Sequence, residues 1–117
     1  ELGHKYFYDN RLFENDRYLK IIKNKFSKYR KNDFVEVQGS KENYYLLKDY
    51  SEFVSEYQTR IYIVERRSSF YAFGKVKTSK AKEYFSEGLK YYYYDSELLA
   101  KKDKELYDFI DEIVKGK

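Results

Sequence analysis

The chain has no cysteine, methionine, proline or tryptophan, and one histidine among its 117 residues. Without cysteine there is no disulfide framework, no thiol nucleophile and no cysteine-ligated zinc. A single imidazole, His4, cannot build a histidine metal site or a Ser-His-Asp triad. Near a terminus it is expected to be solvated. The five glycines are scattered, so no glycine-rich loop is available to cradle a phosphate. No stretch approaches the ~20 apolar residues of a membrane span. The longest apolar-aromatic run, Leu89 to Tyr94, is interrupted by Lys90. Neither a membrane span nor a small-molecule cofactor is therefore expected. Glu1-Leu2-Gly3-His4 is neither basic nor apolar, unlike the start of a signal peptide. With no methionine present, Glu1 is expected to be a trimmed or processed end. A cytoplasmic setting is expected first, export second.

The chain is rich instead in tyrosine and charge: 16 tyrosines, 24 lysines and arginines, and 20 acidic residues, for a formal net charge of +4. Abundant lysine, tyrosine and asparagine point to an AT-rich genome. The length supports one domain, residues 1–117, with one core. The charge is unevenly distributed. Residues 1–10 sum to −1, 11–32 to +6, 33–58 to −4, 59–82 to +6 and 83–117 to −3. If the two basic segments share a face, they form a cationic patch.

Residues 16–31 read as an amphipathic helix, capped by Asp16 or Asn15, with Leu19, Ile22, Phe26 and Tyr29 as its buried stripe. Phe34–Gln38 and Asn43–Lys48 read as a hairpin. Asp49–Tyr57 is open between a helical turn and a loop. Arg60–Arg66 and Phe70–Thr78 alternate as a second strand pair, turning at Arg67-Ser68-Ser69, and Gly74 suggests a bulge or a close approach by another backbone. Ser79–Glu87 predicts a short helix stopped at Gly88, Leu89–Tyr94 a last strand, and 97–114 a closing helix with Leu99, Leu106, Phe109, Ile110 and Ile113 inward. The expected fold class is α+β: a small, mainly antiparallel sheet of about five strands, with N- and C-terminal helices packed on one face.

Catalytic signatures are weak. Ser79-Lys80-Ala81-Lys82 fits a Ser-x-x-Lys pattern, but its companion motifs are missing, and Ser79 reads as a helix cap. Asp103, Asp108, Asp111 and Glu112 fall outside or at the edge of the closing helix's apolar stripe, where solvated charges belong. Tyr71-Ala72-Phe73-Gly74-Lys75-Val76 partly resembles the aromatic octamer of RNA-recognition motifs, with Ser69-Phe70 in place of its leading Lys/Arg-Gly. That resemblance implies sheet aromatics stacking on bases. Ile61-Tyr62-Ile63 followed by Tyr71-Ala72-Phe73-Gly74 faintly resembles the paired strands of GIY-YIG nucleases. There Arg60 replaces the first glycine, Lys82 is the nearest stand-in for the helix arginine, and Glu97 or Glu105 would have to supply the metal-binding glutamate. That resemblance implies at most a degenerate nuclease-like domain. Neither assigns the chain to a family.

Tyrosines 44, 45, 62, 71 and 91–94 fall on expected strands, where neighbours point to opposite faces, so some must point outward. The leading expectation is a non-catalytic module binding nucleic acid or another acidic macromolecule. Lys20, Lys23, Lys28, Arg60, Arg66, Arg67, Lys75 and Lys77 would contact phosphates, and Tyr62 and Tyr71 would stack. The alternative is a protein-interaction or inhibitor domain of a mobile-element-encoded or exported bacterial protein, because tyrosine and arginine also suit protein interfaces. Cations gathered on one face would favour the polyanion. A tyrosine patch ringed by mixed charge would favour the protein.

Overall fold

A computed structural model of the chain describes residues 2–41, 43–62 and 78–116. Helix dominates. The chain runs from α1 (Leu2–Asp9) through a 3-10 turn at Leu12–Glu14 into α2 (Asp16–Phe26). After strands β1 (Phe34–Val37) and β2 (Tyr44–Leu47), a 3-10 turn at Glu56–Thr59 leads to β3 (Ile61–Tyr62). The chain closes with α3 (Thr78–Tyr94), α4 (Ser96–Lys102) and α5 (Lys104–Val114). This corrects the expected α+β arrangement of about five strands with flanking helices. Among the described residues the sheet is three short antiparallel strands in the order β1-β2-β3. The expected strand at 70–78 lies almost wholly outside the described residues.

Two segments account for the excess of helix, one without an assignment from sequence and one expected as a strand. Residues 2–9 form α1, which packs along α3. Residues 89–94, expected as a strand, are the last turns of α3. Ala81, Tyr84, Phe85, Gly88 and Leu89 are buried at helical spacing, so one apolar stripe runs straight through the glycine. Gly88 is therefore no C-cap. A Cβ there would lie 2.6 Å from Leu106 Cδ2 and 2.9 Å from Ile110 Cδ1, so the missing side chain lets α3 and α5 approach. Gly3 does the same for α1: its Cβ would lie 2.8 Å from the Ser86 Cα. Ser79, read as a cap, falls inside α3, which begins at Thr78.

The expected closing helix is broken at Asp103. Asp95 and Asp103 share one non-helical conformation (φ −155°, ψ 76° and φ −154°, ψ 77°) and one task. The Asp95 side chain accepts from the Leu98 N–H at 3.1 Å, and that of Asp103 from the Leu106 N–H at 3.3 Å. Each carboxylate satisfies a helix N–H that has no partner within the helix and favours its positive end. The sequence repeats itself accordingly: Asp95-Ser-Glu-Leu98, then Asp103-Lys-Glu-Leu106. At the other end of the chain, Asn15 caps α2 through the Tyr18 N–H at 2.9 Å.

The first hairpin pairs Phe34 with Leu47 and Val37 with Tyr44, and Tyr44 continues the ladder to Tyr62. Its inner face contributes Phe34, Tyr45 and Leu47 to a core with Phe7, Tyr18, Ile22, Phe26, Phe53, Tyr84, Phe85, Leu106 and Ile110. On α2 the buried residues are Tyr18, Ile21, Ile22 and Phe26, with Leu19 half-buried; the helix ends at Phe26, short of the expected residue 31, and Tyr29 is half-buried in the turn beyond it. Aromatic edges and faces fill this core. Tyr18 stacks on Phe109 at 5.4 Å, and Phe26 meets Phe53 at 5.1 Å.

Candidate interaction surface

The cations singled out from the sequence do not form a common basic face among the described residues. The physical reason is that the fold pairs basic segments with acidic ones from other parts of the chain. Lys28 Nζ meets Glu52 Oε2 at 2.5 Å. Arg17, on α2, pairs with Glu112 of α5. The Arg60 guanidinium donates to Glu56 Oε1 at 2.8 Å and lies between the Tyr44 and Tyr57 rings, 4.3 and 4.1 Å from their centroids. These contacts tie β2 to the 3-10 turn. Lys20 and Lys23 are exposed, but Lys20 lines a groove with Glu105 and Asp108. The expected basic patch is thereby corrected. Arg66, Arg67, Tyr71, Lys75 and Lys77 lie outside the described residues, as does the side chain of Tyr62.

The reading of Asp103 as a solvated edge charge is also corrected. Asp103 is buried, 8% exposed, at the centre of a polar network. Its Oδ1 caps α5, and its Oδ2 accepts the Tyr84 hydroxyl. Lys25 Nζ stands 3.6 Å from Oδ2 and donates to the carbonyls of Glu52 and Lys102. Burial holds the Lys25 ammonium below the ordinary lysine range, against the pull of Asp103. A lysine of lowered pKa is a candidate nucleophile or base. Here, however, three acceptors face the three ammonium protons, and the charge joins α2, the 49–54 loop and the α4–α5 junction. The groove outside it, about 320 Å³, is lined by Lys28, Glu52, Lys104 and Glu105 among others. Gln58 adds a second buried link, donating to the Tyr84 carbonyl at 3.0 Å and accepting from the Val54 N–H at 3.1 Å.

His4 is not a solvated tail residue. Its place in α1 sets Nε2 3.3 Å from Glu83 Oε1 on α3. Ser86, one turn further along α3, is buried beneath Gly3, and its hydroxyl has no hydrogen-bond partner. A serine sealed under a helix offers no approach to a substrate. No group of three or more His, Asp or Glu side chains suited to a metal occurs among the described residues. No described helix is long and apolar enough to cross a membrane.

The C-terminal end of α3 carries the two most exposed large hydrophobic side chains among the described residues. Tyr93 and Tyr94 are 58% and 82% exposed on a regular helix. Their neighbours hold that helix in place. Tyr92 donates to Asp111 Oδ1 at 2.6 Å, and its ring lies 5.7 Å from that of Tyr107 on α5. This hydrogen bond pushes the Tyr92 phenol up to about 12. Tyr91 and Tyr94 meet edge to face at 6.3 Å, and Lys90 Nζ sits 5.9 Å over the Tyr91 ring. Asp95 and Glu97 follow directly, both exposed. The result is a helix end from which tyrosines fan outward, an aromatic platform bordered by charges of both signs. The sequence signal for it was the i, i+3, i+4 spacing of Ala81, Tyr84, Phe85, Gly88 and Leu89, which makes four consecutive tyrosines helical and fans them around an axis. The chain matches no protein-family model, no curated protein and no solved structure.

Proposed function

We propose that this chain is a non-catalytic protein-binding module whose contact surface is the tyrosine end of α3. One observation carries the reading: Tyr94, 82% exposed, and Tyr93, 58% exposed, project from a helix that Tyr92–Asp111 and Tyr92–Tyr107 hold rigid. Tyrosine brings large contact area with few rotatable bonds, so little entropy is lost when a partner covers it. Charges of both signs border the platform, which suits a protein interface with an aromatic centre and a polar rim. Support for a polyanion ligand is reduced, since Arg17, Lys25, Lys28 and Arg60 are engaged within the fold.

The test compares tagged wild-type protein with the Tyr93→Ser/Tyr94→Ser variant in capture from nuclease-treated lysate of the producing cell. A protein retained at fixed stoichiometry by the wild type and lost by the variant is expected, with the melting temperature essentially unchanged. Equal retention by both overturns the reading. So does a captured species that disappears on nuclease treatment.

A further inference from the structure

The protein-binding reading leaves the partner open, and the order of charges along the end of α3 addresses it. We infer that the tyrosine end of α3 docks against the same end of a second copy of this chain, in an antiparallel twofold dimer. This rests on the proposed protein-binding surface and names its occupant.

Residues 93–97 are an unbroken exposed run, and Lys90, one helical turn before Tyr94, is exposed as well. Lys90, Asp95, Glu97 and Lys101 form no ion pair among the described residues. A partner of a single charge sign would meet like charges here, whichever sign it carried. A fitting partner carries both signs, in the reverse order. The helix sets that order. The Asp95 N–H still donates to the Tyr91 carbonyl at 2.8 Å, so Asp95 stands at the C-terminal tip of α3. Tyr91 and Asp95, four residues apart, lie on one side of Tyr94. Lys90 Nζ leans to that same side, 5.9 Å over the Tyr91 ring, and Tyr91 meets Tyr94 edge to face at 6.3 Å. Beside Tyr94, therefore, a cation lies toward the start of the helix and a carboxylate at its tip. Turning a second copy end for end about Tyr94 brings each Lys90 toward the other's Asp95, and each Tyr94 toward its own equivalent. Every contact is then made twice. The two most exposed rings of each copy are covered, and the twofold closes with no equivalent site left for a third copy.

The test is sedimentation equilibrium of the full chain from micromolar to millimolar concentration, at low and high salt. Four proteins are compared: wild type, Tyr94→Ser, Lys90→Glu and Lys90→Glu/Asp95→Asn. The positions are exposed and asparagine retains the oxygen that caps α4, so all four should melt alike. Wild type is expected to pass from monomer to dimer across the range and to dissociate as salt rises. Tyr94→Ser should weaken the dimer about tenfold, because both copies lose the ring contact. Lys90→Glu sets a carboxylate against Asp95 twice over and should also weaken it about tenfold. The double variant removes that repulsion and should recover part of the loss. A chain that stays monomeric throughout overturns the inference. So does a dimer that Lys90→Glu leaves unchanged, or a double variant no better than Lys90→Glu alone. The protein expected in lysate capture is then the untagged chain itself. If the chain is monomeric while Tyr93→Ser/Tyr94→Ser still loses a captured protein, the second copy falls as occupant and the surface stands. If that variant keeps the captured protein, the underlying surface assignment falls.

Discussion

The Tyr84 hydroxyl donates to Asp103 Oδ2 between the middle of α3 and the start of α5, and Lys25 reaches the same oxygen from α2 at 3.6 Å. Three helices thus converge on one buried carboxylate. Asp103 also caps α5. Replacing it with alanine removes the cap, leaves a buried phenol without an acceptor and strips Lys25 of its counter-charge. Each loss costs about 1 kcal/mol or more, so Asp103→Ala is expected to lower stability by about 3 kcal/mol in urea unfolding. Asp103→Asn keeps a capping oxygen, but the amide nitrogen in place of Oδ2 donates and cannot accept from Tyr84 or offset Lys25, so it should lose less than alanine by about the value of the cap, about 1 kcal/mol. Equal losses in the two variants would show that the cap contributes little at this site.

Alkaline pH should weaken the fold through its tyrosines. Burial raises the Tyr18 phenol well above 10.0, and burial together with Asp103 does the same for Tyr84. The Asp111 hydrogen bond carries Tyr92 to about 12. A phenol whose pKa is higher in the folded state contributes stability that is intact below 10.0 and lost as pH rises toward the folded value, because the unfolded chain ionises first. Lys25 runs the other way. Its folded pKa lies below 10.5, so its contribution improves with pH just under that value. Tyr29 and Tyr93 are raised as well, so five phenols oppose the Lys25 ammonium, and stability should fall steeply above pH 10. Urea midpoints measured across that range would show it. Tyr84→Phe should flatten the fall, and an unchanged slope would remove Tyr84 from the account.

Local pattern was readable where chain neighbours decide the outcome. The α2 segment has its Asn15 cap and apolar spacing, and the first hairpin has alternation bracketed by Gly39-Ser40. It misled where two periods overlap. Leu89–Tyr94 is β-prone by composition, yet its stripe is continuous with Ala81, Tyr84 and Phe85, and a glycine in that stripe reads as a stop unless its packing partner is known. The break at Asp103 was legible as a repeat of Asp95-Ser-Glu-Leu98, a signal hidden by the apolar spacing on either side. Charge was the least readable property. A count along the chain cannot show that Arg17 finds Glu112, 95 residues away, or that Lys25 turns inward to Asp103.

The close approach of α3 and α5 at Gly88 should not accept a branched side chain. Even a single Cβ would press on Leu106 and Ile110, both fully buried. Gly88→Val adds two further methyl groups at that point. Helix propensity improves slightly on leaving glycine, by a few tenths of a kcal/mol, and does not offset overpacking of about 1–3 kcal/mol. A net loss of roughly 1–2 kcal/mol is expected from urea unfolding. Gain of stability would mean that the two helices can separate at no cost.

Arg60 separates a structural role for the cations from a ligand-binding one. Its guanidinium is 18% exposed, paired with Glu56 and layered between Tyr44 of β2 and Tyr57 of the 3-10 turn. A flat, delocalised cation can face two rings at once and still donate in its own plane, whereas an ammonium is a point charge that must choose among partners. Arg60→Lys should therefore behave almost as a deletion, destabilising by about 1 kcal/mol, and Arg60→Ala by about 2 kcal/mol as the stem packing is lost as well. If Arg60 instead served to grip phosphates, lysine would restore most of the function and alanine would leave the fold intact. Urea unfolding of both variants beside an oligo-thymidine titration distinguishes these outcomes. Full stability in Arg60→Ala, with weakened oligonucleotide binding, would return this arginine to the role first expected from the sequence.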